Sequence, residues 1–93
     1  MGELTSAATD YDEAIRLMPS NISYLTQRAN VYRKMKQYPK ALADIELALS
    51  RMDYAEAFLA RGLIKQEMGD EAGAKEDIAR AKSIEPRVKE DNF

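Results

Sequence analysis

Slid along itself, the sequence falls into register twice. Ala7, Ala41 and Ala74 align, at steps of 34 and then 33 residues, and so do Tyr11, Ile45 and Ile78, and Ala14, Ala48 and Ala81. Met1 matches Met35 and Met68, and Gly2 matches Lys36 and Gly69. Pro19 and Pro86 fall together with Asp53 between them, while Leu25 pairs with Phe58, Arg28 with Arg61, Ala29 with Gly62 and Val31 with Ile64. The residue lost in the second step belongs to the loop around 51–55. A fixed period of this size is the mark of an array, in which no unit buries its apolar face alone and each stacks on its neighbours.

Within a period the apolar spacing is helical. Leu25, Ala29, Tyr32 and Met35 recur at steps of three and four and form one face. Leu42, Ile45, Ala48 and Leu49 form a second, after a break at 37–39 where Pro39 suits a first helical turn that does not need its N–H. Ser20-Asn21, and Asp53 with Glu56 three residues on, read as helix N-caps. Gly69-Asp70 ends one helix and starts the next. The spacing predicts five helices, near 3–17, 22–36, 39–51, 54–68 and 71–84. Ala29, Gly62, Ala41 and Ala74 stand where paired helices approach, with Leu25, Phe58, Ile45 and Ile78 filling between them. The methionine column reads as core filler.

This pattern resembles the tetratricopeptide repeat, a helix–turn–helix unit of about 34 residues. The resemblance runs from Met1 to Pro86 and rests on Leu25/Ala29/Tyr32, Phe58/Gly62, the Ala41/Ile45/Ala48 and Ala74/Ile78/Ala81 rows, and the two prolines. The family's tryptophan is replaced by Leu25 and Phe58, and its tyrosine by Lys65 in the last repeat. The resemblance implies an all-α, right-handed superhelical solenoid of five helices, and a protein-interaction module, adaptor or scaffold, rather than an enzyme. Its register assigns 1–21 to the second helix of a truncated repeat, 22–53 and 54–86 to two full repeats, and 87–93 to a tail. Leu4, Ala7, Ala8 and Tyr11 then lack a partner helix, and Ile78 and Ile84 lack a cover. Either the segment was cut from a longer protein, or its uncapped ends pair in a homo-oligomer; a structural spacer or self-association element is the alternative function.

Composition narrows the chemistry. The chain has no Cys, His or Trp, which removes thiol chemistry, disulfides and imidazole or thiolate metal ligands. It also removes the usual general base near neutral pH. No apolar run approaches the roughly 20 residues that span a bilayer, and no signal peptide is visible. A cytoplasmic protein without cofactors is expected. Asp10-Tyr11-Asp12-Glu13 lacks the glycine and distal glutamate of a calcium loop, and 69–73 is followed by no Gly-Lys-Ser/Thr of a phosphate loop. With a pI near 5.2 and no extended basic stripe, neither nucleic acid nor membrane is an expected partner.

What remains is a surface for a protein or peptide. The resemblance places first helices on the concave side, which nominates Thr26, Gln27, Asn30, Arg33 and Lys34 in one repeat and Leu59, Leu63 and Gln66 in the next. No acidic residue lies between Ile15 and Ala43, a window that holds Arg16, Arg28, Arg33, Lys34, Lys36 and Lys40. Arg33 and Lys34 would meet an acidic segment of the partner, or else form an ordinary solvated face. Leu59 and Leu63 would wall an apolar pocket, or be buried by the curvature of the superhelix. Arg28 and Arg61 read as structural, their stems packed along a helix and their heads on carboxylates. Some members of the family grip a C-terminal carboxylate; the matching positions here carry Gln27, Glu56 and Ala60, and Glu56 would repel it.

Overall fold

A computed structural model describes residues 2–88. Met1 of the methionine column and residues 89–93 of the expected tail lie outside the described residues. The described chain forms five α-helices and no strand: α1 (Gly2–Leu17), α2 (Ile22–Lys34), α3 (Tyr38–Arg51), α4 (Ala55–Glu67) and α5 (Glu71–Ile84).

Each boundary has a local cause. Asn21 caps α2, its Oδ1 accepting from the Ser23 N–H at 3.1 Å. Asp70 caps α5 through the Gly73 N–H at 2.9 Å. Helix α3 has no side-chain cap and carries Pro39 in its first turn instead. The expected Asp53 cap is absent: α4 starts from Tyr54, which makes no capping bond, and Asp53 points toward Arg80 at 3.8 Å. A tyrosine cannot fold back on its own backbone as a short carboxylate does, so this residue has a tertiary role, described below.

Helices α2 and α4 stop one or two residues before the spacing predicts, and both do so in the same way. After Met35, the N–H of Lys36 bonds to Arg33 O (2.9 Å) and that of Gln37 to Tyr32 O (2.8 Å). After Met68, Gly69 bonds to Gln66 O (3.1 Å) and Asp70 to Lys65 O (2.8 Å). This is the two-bond closure of a helix whose next residue is left-handed. Gly69 takes φ +91 and Lys36 takes φ +62, a region that costs a residue with a Cβ about 1–2 kcal/mol. Part of that is offset because glycine loses more freedom on folding. Lys36→Gly is therefore expected to stabilise the fold by about 0.5–1 kcal/mol, seen as a higher urea midpoint at unchanged slope.

Packing follows chain order, each helix lying on the next, with α2 also reaching α4 across the turn. The cluster that joins the repeats is Ala29, Ala41, Ile45, Ala60 and Ile64. It is mostly alanine, which lets three helices approach closely around two isoleucines. Gly62 does the same between α4 and α5: a Cβ there would lie 2.8 Å from Ile78 Cγ1 and 3.2 Å from the Ala74 carbonyl. A second cluster holds Ala55, Leu59 and Ala81, flanked by Phe58, Leu63, Ile78 and Val88. Val88 thus packs as part of the last repeat, two residues past the expected boundary at 86. The methionines are not core as expected: Met35 is half-buried and Met68 exposed.

Candidate partner-binding groove

A recurring ion cluster positions the helices that form the site. Arg28 on α2 donates from Nε (2.8 Å) and Nη2 (2.7 Å) to both carboxylate oxygens of Asp44 on α3. Its Nη1 reaches back to Asp12 on α1 at 2.8 Å. One repeat later Arg61 repeats the set, with Asp77 on α5 at 2.9 Å twice and Glu46 on α3 at 3.2 Å. Lys65 adds to Asp77 at 3.1 Å. Asp44 and Asp77 are buried, and each accepts the fork geometry that only a guanidinium offers. Their hydrogen bonds hold both arginine protons more firmly than usual, against the opposing effect of burial. The guanidinium groups lie over aromatic rings, with Arg28 Cζ 5.7 Å from the Tyr32 centroid and Arg61 Cζ 5.5 Å from that of Phe58. The heads of Arg28 and Arg61 therefore pair with carboxylates, as expected of a structural pair. The acids themselves are the part the sequence reading missed. Asp10, Asp44 and Asp77 form a column in the repeat register, as do Asp12 and Glu46. That column was the available signal, masked by reading 10–13 only as a failed metal motif.

Held this way, α1, α2 and the start of α4 enclose a groove of about 1040 Å³. Leu4, Ala7 and Tyr11 form one wall; Ser23, Gln27, Asn30 and Lys34, spaced three and four apart on α2, form the floor. Tyr54 and Glu56 stand at the far side with Arg87 and Val88. Tyr54 is the brace there. Its hydroxyl pairs with Thr26 Oγ1 and donates to the Ile22 carbonyl at 3.4 Å. Burial pushes its pKa up to about 12, with Glu56 adding to the effect.

The nominated residues do not share one surface. Gln27, Asn30 and Lys34 line the groove, with Gln27 bridging α1 and α2: it accepts from the Tyr11 hydroxyl (2.7 Å) and donates to Ser23 (3.0 Å). Thr26 lines it too, but is 4% exposed and committed to Tyr54. Arg33 corrects the expectation of a free cation. Its guanidinium bonds to Asn30 (3.1 and 2.5 Å) and to Glu67, which also accepts from Tyr38 at 3.3 Å. Leu59 corrects the expected pocket wall: it is 0% exposed, packed under Val88 in the second cluster, and Leu63 is half-buried beside it. Val88, in the chain after α5, packs against the same cluster. Gln66 is exposed and outside the groove. Leu4, Ala7, Tyr11 and Tyr54 are the groove residues that were not nominated. Among the described residues no cluster of three or more His, Cys, Asp or Glu could hold a metal, and no helix is long and apolar enough to cross a membrane.

The two stacked helix pairs coincide with matches to a known family. The family model for the tetratricopeptide repeat covers residues 22–51 and 55–88. The chain belongs to the tetratricopeptide repeat family. Over 84 residues it is 38% identical to the heat-shock protein cognate (HSC) co-chaperone sgt12 of Aspergillus fumigatus, covering 89% of this chain and 24% of that protein. It is 30% identical over 87 residues to human tetratricopeptide repeat protein 28, covering 92% and 4%. It is 31% identical over 80 residues to small glutamine-rich tetratricopeptide repeat-containing protein 2 of Saccharomyces cerevisiae, covering 85% and 23%. The chain therefore spans a quarter or less of these relatives. Tetratricopeptide repeats form a protein-interaction fold, and no catalytic family matches among these comparisons.

Proposed function

We propose that this chain binds a protein segment in the groove between the open face of α1 and the α2 row Gln27, Asn30 and Lys34. The observation that carries the reading is the groove's makeup. One wall is apolar at Leu4 and Ala7, and Lys34 is an exposed cation at one end that none of the described carboxylates pairs. Such a site suits a segment that lays aliphatic side chains on α1 and offers a carboxylate to Lys34, with the charge serving encounter and register more than affinity. The co-chaperone relative supports a protein partner and, as part of the proposal, a cytoplasmic setting as an adaptor or scaffold. A grip on a chain-terminal carboxylate is not part of it: Glu56 stands in the groove and Ala60 is buried.

The test is capture from lysate by the immobilised chain and by Ala7→Arg/Lys34→Glu, with circular dichroism to check that the variant folds. The expected result is a partner held by the parent and lost by the variant. Equal capture by both removes the groove. The exposed side chains Leu17, Met18 and Met52 favour a second reading, self-association, for which light scattering would show a mass that rises with concentration.

A further inference from the structure

We propose that the turn between α2 and α3 is a docking surface for an acidic segment of a partner protein, with Lys36 as its central contact and Lys34 and Lys40 on either side. The surface extends beyond the groove, whose lining includes Lys34 but neither of the other two lysines.

The cations of the acid-free window between Ile15 and Ala43 divide into two sets. Arg16, Arg28 and Arg33 are taken by carboxylates of the chain itself: Glu13, then Asp44 with Asp12, then Glu67. Lys34, Lys36 and Lys40 are exposed, and among the described residues no carboxylate pairs with any of them. Lys40 instead lies over the Tyr32 ring, 5.6 Å from its centroid. The three lysines fall together on the last turn of α2, the connecting turn and the first turn of α3. Glu67, the acid that α4 brings to this end, is already occupied by Arg33 and Tyr38. The folded chain thus gathers unneutralised positive charge on one turn while carrying a net charge of −2.

Lys36 distinguishes this turn from an ordinary solvated edge. Its φ of +62 lies in the left-handed region, and the same column in the next repeat is filled by Gly69 at φ +91. A side chain in that conformation raises the energy of the turn. Among the described residues this one makes no hydrogen bond, ion pair or ring contact that would offset the strain. Glycine would serve the fold better. A lysine held at a conformational cost, unused by its own chain and flanked by two more, is placed for a group outside the chain. Three ammonium groups on one short turn suit a run of Asp and Glu side chains. A nucleic acid suits it less: the matching turn of the next repeat carries Asp70 and Glu71, which interrupt any cationic track for a phosphate backbone.

The probe is fluorescein-labelled hexaglutamate, followed by fluorescence anisotropy at low salt. Saturable binding is expected, falling steeply as salt is added. Lys36→Gly should raise the urea midpoint and yet weaken binding about threefold, whereas Lys36→Arg should keep it. A lysine with a purely structural role cannot move stability and binding in opposite directions. Lys75→Ala, at an exposed position on α5, should leave binding unchanged. Parent-level binding by Lys36→Gly overturns the proposal. An equal loss from Lys75→Ala does so too, because it would mean attraction to positive charge in general. Absence of hexaglutamate binding also overturns it, as does tighter binding of a thymidine oligonucleotide of equal charge, which would assign the turn to nucleic acid.

Discussion

Asp44→Ala is expected to lower the unfolding free energy by about 2–4 kcal/mol, while Asp44→Leu combined with Arg28→Met should recover most of that loss. The asymmetry comes from what each change leaves behind. Removing the carboxylate strands a guanidinium whose side chain is 20% exposed, with only Asp12 and the face of Tyr32 as company. Breaking a fully buried pair costs about 3–5 kcal/mol, and the partial exposure of Arg28 reduces the figure. Replacing both partners removes the desolvation cost together with the attraction, and fills the space with apolar side chains. Glu13→Ala is the control. Its ion pair with Arg16 has comparable geometry at 2.5 Å, but both side chains are more than half exposed, and surface pairs of this kind contribute little. Urea midpoints of the four proteins rank the cases. A double variant as weak as Asp44→Ala alone would mean that the pair attracts more than it costs to bury.

Ile45→Ala should cost about 3–4 kcal/mol, a large share of the roughly 5–15 kcal/mol available to a domain of this size. Ile45 is 0% exposed and clusters with alanines on α2, α3 and α4 and with Ile64, so its truncation leaves a cavity in the fully buried seam between the repeats. The same column offers its own comparison, because Ile78 is only half-buried. Ile78→Ala is expected to cost visibly less, since fewer contacts are lost and the gap opens to solvent. Equal losses at the two positions would show that the last repeat is packed more tightly than its burial indicates. Both substitutions keep helix propensity high, so the readout reports packing rather than backbone preference.

The fold was largely legible because repetition supplies internal evidence. Columns such as Ala7/Ala41/Ala74 give three readings of one structural position, and the helix starts at Asn21 and Asp70 follow from short polar side chains that act locally. Asp53 misled because it has the right chemistry for a cap but sits one residue early, where Tyr54 takes the position for a contact with Thr26 that no local rule foresees. The candidate groove was legible only in part. Gln27, Asn30 and Lys34 were reached from the face they share on α2. Arg33 was misjudged because its partner, Glu67, lies 34 residues away, and a charge run in sequence does not reveal which members are neutralised across a helix pair. Leu59 failed for a related reason: its cover, Val88, comes from beyond the last helix.

The ion cluster also gives the array a direction. Each arginine faces forward to the aspartate of its own repeat and backward to an acid on the preceding helix, Asp12 for Arg28 and Glu46 for Arg61. The next residue in that backward column is Ala79. A repeat grafted after α5 would thus find no rearward anchor for its arginine, whereas a helix added ahead of α1 meets Asp10, the exposed α1 member of the aspartate column. Designers who wish to lengthen this scaffold should find elongation asymmetric, with Ala79→Glu as the single change that makes the two ends equally receptive.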